Sequence, residues 1–248
     1  MIRVCVAGVT GWTGSAVATA VEAADDLELV AGVSRSSGYA TVAAALAATP
    51  ADVVVDFTHA TIVKANVLAA LDHGVGVVVG SSGLTAEDYD EIAARAESQG
   101  VGVVAAGNFS ITAALLLRFA GEAAGRFGSW EVIDYAGAKK QDAPSGTARE
   151  LAERLEGLGR RPSLPVPVDE VLGRKEARGA TVAGTQVHSL RLPSFTVSTE
   201  IVFAATGERL SLRHDPGESA APYVAGTLLA VRAVPAVVGL VRGLDQLL

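Results

Sequence analysis

The sequence predicts an α/β protein in two parts: an N-terminal parallel sheet flanked by helices, then a C-terminal α+β domain with a mostly antiparallel open sheet. Short Val-rich runs alternate with Ala-rich stretches through the first half of the chain, and repeated β-α units of this kind build a parallel sheet with right-handed crossovers. After residue 107 the runs alternate apolar and polar positions, the pattern of an antiparallel sheet with one solvated face. Half of the residues are hydrophobic but only 5% are aromatic, which suits buried parallel strands packed under small-residue helices.

Taken in order, strands are expected at 2–7, 27–33, 53–57, 75–79 and 101–106, with helices at 14–24, 41–48, 62–73 and 86–99. Asp56-Phe57-Thr58 offers capping groups to the third helix, and Thr85-Ala86-Glu87-Asp88 opens the fourth with carboxylates at its positive end. The second half reads as a helix at 111–124, a strand at 130–135, a helix at 145–155 and a Pro- and charge-rich loop over 157–179. Consecutive strands follow at 186–192, 196–204 and 209–213, the last two joined by a turn at Gly207-Glu208. Residues 221–248 read as helical with a break at Pro235. The expected domains are therefore 1–106 with 216–248, and 107–215.

A formal charge of −7 with no basic stripe argues against a nucleic-acid partner. The single cysteine, Cys5, excludes an intrachain disulfide and suits a reducing cytoplasm; its place in the first apolar run marks it as a small buried residue. The chain opens directly into a strand, and no apolar run reaches the ~18 residues that a membrane span needs, so a soluble cytoplasmic protein with no membrane partner is expected. His59, His73, His188 and His214 are scattered, with His188 the best candidate for a functional imidazole. No His, Cys or carboxylate cluster has metal-ligand spacing, so no metal is expected.

The motif Gly8-Val9-Thr10-Gly11-Trp12-Thr13-Gly14 follows the first strand and opens the first helix. Glycines there allow a tight turn and close backbone approach to a pyrophosphate, which the helix N-terminus attracts. The first domain is thus expected to be a Rossmann-type dinucleotide domain. An NAD site usually places an acid at the end of the second strand; this chain has Ser34-Arg35-Ser36-Ser37 instead. A guanidinium flanked by hydroxyls suits a 2′-phosphate, which favours NADPH and leaves NADH open. Two more loops, Gly80-Ser81-Ser82-Gly83 and Ala106-Gly107-Asn108-Phe109, end parallel strands where ligands bind in open α/β sheets. Each is equally readable as an ordinary turn.

Asp142-Ala143-Pro144-Ser145-Gly146-Thr147-Ala148 is a Pro-set turn running into a helix start. The backbone donors of Ser145, Gly146 and Thr147 form a nest suited to a carboxylate, and Lys140 adds a point charge. The string Lys-x-Asp-Ala-Pro-Ser-Gly-Thr-Ala also resembles the signature of the 4-hydroxy-tetrahydrodipicolinate (dihydrodipicolinate) reductases. Asp56-Phe57-Thr58, Gly80-Ser81-Ser82-Gly83, Asn108-Phe109-Ser110, Arg178-Gly179, His188-Ser189-Leu190-Arg191 and Gly207-Glu208 resemble further segments of that family in the same order. The resemblance implies an NAD(P)H-dependent, tetrameric reductase of lysine biosynthesis that delivers hydride to a cyclic, imine-conjugated dicarboxylate. It implies that Lys140 is catalytic and that Lys140, Gly146 and Thr147 hold substrate, with Ser145 in the same nest. It implies cofactor contacts from Gly8, Thr10, Gly11, Trp12 and Thr13, and from Gly80, Ser81, Ser82, Ala106, Gly107, Asn108 and Phe109; Gly14, Ser34, Arg35 and Phe57 join them as cofactor candidates from their places in the glycine motif and at strand ends.

The chain departs from the family pattern before that lysine. Where the family has Glu-x-His-His-x-His-Lys, this chain has Asp134-Tyr135-Ala136-Gly137-Ala138-Lys139-Lys140. The histidine taken as the general acid falls on Ala136, which has no proton to give. A further family histidine is lost in Thr196-Val197-Ser198-Thr199-Glu200. Lys139, Lys140 or Tyr135 are the candidate proton donors if burial or a cationic neighbour lowers a pKa. Three activities stay open at this point. They are reduction of the family's own substrate, reduction of a different cyclic imine or unsaturated carboxylate, and a non-catalytic NADP-binding sensor or partner role.

Overall fold

Valine runs make the centre of the first sheet. In the computed structural model, which describes residues 1–36, 38–195 and 197–248, β3 (Val53–Asp56), β4 (Gly76–Val79) and β5 (Gly102–Ala105) are buried at every position. Strands covered on both faces need no polar alternation. With β1 (Ile2–Ala7), β2 (Leu27–Val33) and β11 (Gly239–Arg242) they form a six-stranded sheet in the order β11-β5-β4-β3-β1-β2. Every neighbouring pair is parallel, so all six C-terminal strand ends lie along one edge. From β1 the chain order runs outward to β2 on one side and to β3, β4 and β5 on the other. Such a switch point is where open α/β sheets bind ligands.

The helices of this unit, Met1–Ile111 with Ser219–Leu248, are α1 (Trp12–Glu22), α2 (Val42–Ala48), α3 (Val63–Asp72), α4 (Ala86–Gln99) and α7 (Ala221–Ala233). Thr85 caps α4 in a reciprocal box with Asp88, and Gly100 ends it in the left-handed region at φ 66°. The expected cap of α3 is corrected: Ile62 occupies the cap position without a side-chain bond, because Asp56 is committed elsewhere. Residues 239–242, expected to be helical, are also corrected. After Pro235 in a 3-10 turn, Gly239 turns at φ 85° and β11 pairs in register with β5, Leu240 opposite Val103. Pairing an otherwise open sheet edge outweighs local helical preference over only four residues.

The second unit, Thr112–Glu218, carries a five-stranded sheet in the order β10-β9-β6-β8-β7. The strands are β6 (Ser129–Ala136), β7 (Ala180–Val182), β8 (Thr185–Arg191), β9 (Val197–Ala205) and β10 (Glu208–His214). Pairings β10–β9, β9–β6 and β8–β7 are antiparallel, but β6 and β8 run parallel. The expectation of consecutive antiparallel neighbours over 186–192 and 196–204 is corrected accordingly: β6 lies between β8 and β9, and residue 196 is outside the described residues. The stretch expected as loop holds two 3-10 turns, Val168–Glu170 and Lys175–Arg178. β6 alternates strictly, burying Trp130, Val132, Asp134 and Ala136. That face packs with α5 (Ile111–Ala124) and α6 (Gly146–Gly157) in a core containing Leu117, Leu151, Leu155, Ile201 and Phe203. Among the described residues, no helix is long and apolar enough to cross a membrane.

Candidate active site

At the end of β1 the backbone makes a cradle that side chains cannot share. Gly8 has φ 85°, and a Cβ there would lie 2.2 Å from the Phe57 carbonyl oxygen; one on Gly14 would lie 2.1 Å from that of Gly8. The turn is closed by Gly8 N–H donating to the Val33 carbonyl at 2.8 Å and Gly11 N–H to the Gly8 carbonyl at 2.8 Å. Gly11 then caps α1 with no side-chain bond, and the first turn holds no acid. The positive end of α1 is therefore open to an anion in place of a cap. These are the features that a dinucleotide pyrophosphate requires. Thr10 and Trp12 are exposed and Thr13 is half-buried. Tyr223 holds the Trp12 indole edge-on at 5.8 Å.

Parallel register sets Ala7 opposite Val33, which brings the residues after β2 beside the cradle. Ser34 Oγ accepts from Ser36 N–H at 3.2 Å, and Arg35 is exposed. Ser37 lies outside the described residues. The neighbouring loops are tied by Asp56, a residue expected from the sequence as a helix cap and as part of a family-like segment but not as a loop anchor. It is fully buried. Its Oδ1 accepts from Thr58 N–H at 3.0 Å, Thr58 Oγ1 at 2.7 Å and Ser81 Oγ at 2.5 Å, and its Oδ2 from Asn66 Nδ2 at 2.8 Å. The loops 57–59 and 80–83 are thus one bonded unit, with Ser82 exposed on it. Phe57 meets Phe109 edge-on at 5.9 Å, and Asn108 Oδ1 accepts from Ser110 N–H at 2.8 Å. Ala106, Asn108 and Phe109 are buried, while Gly107 is exposed. Cys5 is buried as expected, and burial pushes its thiol up to about 12.

In the second unit β6 delivers Asp134 to the foot of α6. Asp134 is fully buried. Its Oδ2 accepts from Ser145 N–H at 2.9 Å, Ser189 Oγ at 3.0 Å and Arg191 Nη2 at 2.8 Å. Burial pulls this carboxyl up, but the bonds from Ser145 and Arg191 win and hold it below the usual carboxylate range. Ser145 caps α6, its Oγ accepting from Ala148 N–H at 3.4 Å. Its amide is thereby spent on Asp134, so Ser145 shapes the nest while Gly146 and Thr147 open the helix. Lys140 is ion-paired with Asp142 at 2.8 Å, and Lys139 is exposed.

Tyr135 is corrected as a proton donor. By strand alternation it faces away from Asp134 and Ala136, against Phe195 at 5.2 Å and under the Arg213 guanidinium at 4.8 Å. Its hydroxyl donates to Glu200 Oε2 at 3.0 Å, and burial together with that bond raises its pKa, opposite to what an acid requires. Ala136 is fully buried, and a Cβ on Gly137 would stand 3.0 Å from the Phe195 carbonyl. Backbone closes over the positions of the missing histidines. His188 does not replace them: it sits 2.7 Å from Glu131, which also pairs with Arg178. Among the described residues, no group of three or more His, Cys, Asp or Glu side chains could hold a metal.

A parallel sheet with a glycine cradle at its switch point, in a chain that also holds a separate mixed-sheet unit, defines a nicotinamide-dinucleotide-dependent oxidoreductase. Residues 2–109 match the family profile of the dihydrodipicolinate reductase N-terminus, and residues 112–248 that of its C-terminus. The chain is 41% identical over 254 residues to the 4-hydroxy-tetrahydrodipicolinate reductase of Nocardia farcinica, covering 100% of this chain and 98% of that one. It is 40% identical to the reductase of the same name from Mycolicibacterium vanbaalenii, covering 100% and 99%. A dipicolinate-bound dihydrodipicolinate reductase from Paenisporosarcina superposes with a TM-score of 0.81 at 28% identity over the whole of both chains. The protein belongs to the dihydrodipicolinate reductase family and is an NAD(P)H-dependent reductase of that type.

Proposed function

We propose that this reductase acts on 4-hydroxy-tetrahydrodipicolinate in lysine biosynthesis, with NADPH as the preferred reductant. The observation that carries the proposal is the full-length relation, at about 40% identity, to reductases of that name. Lys140 and the start of α6 support it as a place for a carboxylate, the chemistry of the dipicolinate bound by the Paenisporosarcina relative. The first unit holds the dinucleotide. Residues Gly8 to Gly14 receive the pyrophosphate on backbone donors, and Ser34 and Arg35 take the 2′-phosphate. Phe57, Gly80, Ser81, Ser82, Ala106, Gly107, Asn108 and Phe109 line the rest. NADPH supplies hydride to the ring carbon when bound.

The second unit holds the substrate. Gly146 and Thr147 receive one carboxylate at the positive end of α6, Ser145 fixes that end, and the Lys140 ammonium neutralises developing charge. An imine already carrying its proton needs no further acid. For a neutral one, Lys140 or Lys139 is the donor, since Tyr135 is spent on Glu200. We also infer a cytoplasmic homo-oligomer, a tetramer by family. The open face of the second sheet supports this, with Ile133, Leu190, Val202 and Ala204 lining a groove of about 890 Å³. Light scattering after gel filtration tests it, and a monomer overturns it.

The decisive experiment is NADPH oxidation with the substrate generated in situ, wild type beside Lys140→Ala. Turnover that falls about 10²–10⁴-fold in the variant is expected, the range for a group that transfers a proton in the transition state. No wild-type turnover, with NADPH still bound, would move the assignment to another cyclic imine.

A further inference from the structure

The segment between β6 and α6, residues 137–145, carries Lys140 and ends at the α6 cap, and the two family histidine positions that lead into it are Ala136 and Gly137 here, which offer it no side-chain bond. What braces it instead is a buried ion pair. Arg191 Nη2 donates to Asp134 Oδ2 at 2.8 Å and to the Asp142 carbonyl at 2.6 Å. Asp134 Oδ2 also takes the Ser145 N–H at 2.9 Å, and Asp142 in turn pairs with Lys140. One carboxylate and one guanidinium, from adjacent parallel strands β6 and β8, therefore hold the lysine's segment and the helix start together. The Asp134 side chain is fully buried and that of Arg191 only 17% exposed. Replacing such a pair by apolar residues is often neutral or stabilising, so stability alone gives it little reason to be ionic.

We propose that Asp134 and Arg191 are positioning residues that preset Lys140 and the α6 amides for the substrate carboxylate. The proposal rests on the reading that the start of α6 binds that carboxylate. Orientation errors near 1 Å cost about 10²-fold in rate, so a clamp of this kind acts on catalysis without touching substrate.

The test compares wild type with Asp134→Asn, which keeps the shape but loses the charge, and Arg191→Lys, which keeps the charge but not the two-way fork. Amide hydrogen exchange without ligand should quicken over 137–148 in both variants and stay unchanged over 8–36. Dipicolinate, used as the probe, should bind about 10-fold or more weaker, and kcat/KM should fall about 10²-fold. NADPH affinity should hold within about twofold, a separation that general unfolding does not produce. If Asp134→Asn does not fold, Arg191→Lys carries the same comparison. Unchanged exchange over 137–148 in a folded variant overturns the proposal. Failure of wild type itself to bind dipicolinate overturns the carboxylate reading instead, while the exchange result still decides the clamp.

Discussion

The two units build their candidate contacts from different materials. At the sheet edge of the first, contacts come from backbone: a glycine turn, a helix start and loops tied through Asp56. In the second they come from side chains, Lys140 and the Asp134–Arg191 pair, arranged around one helix start. A backbone site is protected by sterics, since almost any added atom collides. A side-chain site can change chemistry while the strand beneath it stays intact. That is why the family's histidine positions read Ala136 and Gly137 here, at the end of a strand and just past it, while the strand still alternates without fault and the glycine cradle has kept its form.

The harshest way to break this comparison is Gly8→Ala. The Cβ would stand 2.2 Å from the Phe57 carbonyl in a left-handed backbone, so a loss of about 3 kcal/mol or more is expected. It should appear as a lowered urea midpoint and as lost NADPH binding. Lys140→Ala, whose side chain is partly exposed in an ion pair, should leave the unfolding free energy within about 0.5 kcal/mol while removing activity. Equal stability losses in the two variants would abolish the distinction between backbone and side-chain sites.

Arg35→Ala sharpens it. Arg35 is a side-chain element beside a backbone cradle, with no ion-pair partner among the described residues. Charge-assisted bonds to a phosphate are worth roughly 1.5–3 kcal/mol. NADPH should therefore bind about 10- to 100-fold weaker in the variant, with NADH affinity unchanged. Parallel losses for both dinucleotides would place Arg35 in folding or in the pyrophosphate contact and remove the basis for preferring NADPH.

How much of this was legible in the sequence follows from how local each signal is. The Val runs of β3, β4 and β5, the glycine turn and the Thr85 cap are all written within a few neighbouring residues, and all were read correctly. The Ser145 helix start was likewise visible. β11 was missed because four residues after a proline carry no periodicity, and only the open edge of β5 makes them a strand. The parallel β6–β8 pairing joins positions 55 apart in the chain and the Asp134–Arg191 contact positions 57 apart, beyond any pattern of spacing. The polar residue closing an otherwise apolar Val run at Asp56 was a signal that could have been used, because a buried carboxylate must find donors. Tyr135 was misjudged because spacing alone cannot show that its partner on the opposite face is Glu200.

The gentlest prediction separates the units by pH. His214 in the second unit is buried, with Nδ1 2.9 Å from Thr112 Oγ1, and no hydrogen-bond partner is found for Nε2 among the described residues. Burial lowers its pKa below the ordinary 6.5, with Asp215 opposing more weakly. As pH falls, the unfolded chain takes the proton first; between the two pKa values it binds more protons, so stability drops as pH drops through 6.5 and below. The depressed carboxyls, Asp134 and Glu131 among them, act in the other window: their contribution is present above the ordinary carboxylate pKa of about 4 and is lost only below it. A comparison at about pH 7.5 and 5.5 therefore isolates histidine. The two tryptophans divide between the units, Trp12 in the first and Trp130 in the second, so a Trp12→Phe background leaves Trp130 to report the second unit alone. In that background the urea midpoint should fall from pH 7.5 to 5.5, and His214→Gln should flatten the fall. An equal fall with and without His214 would show that the buried imidazole is not what couples the second unit to pH.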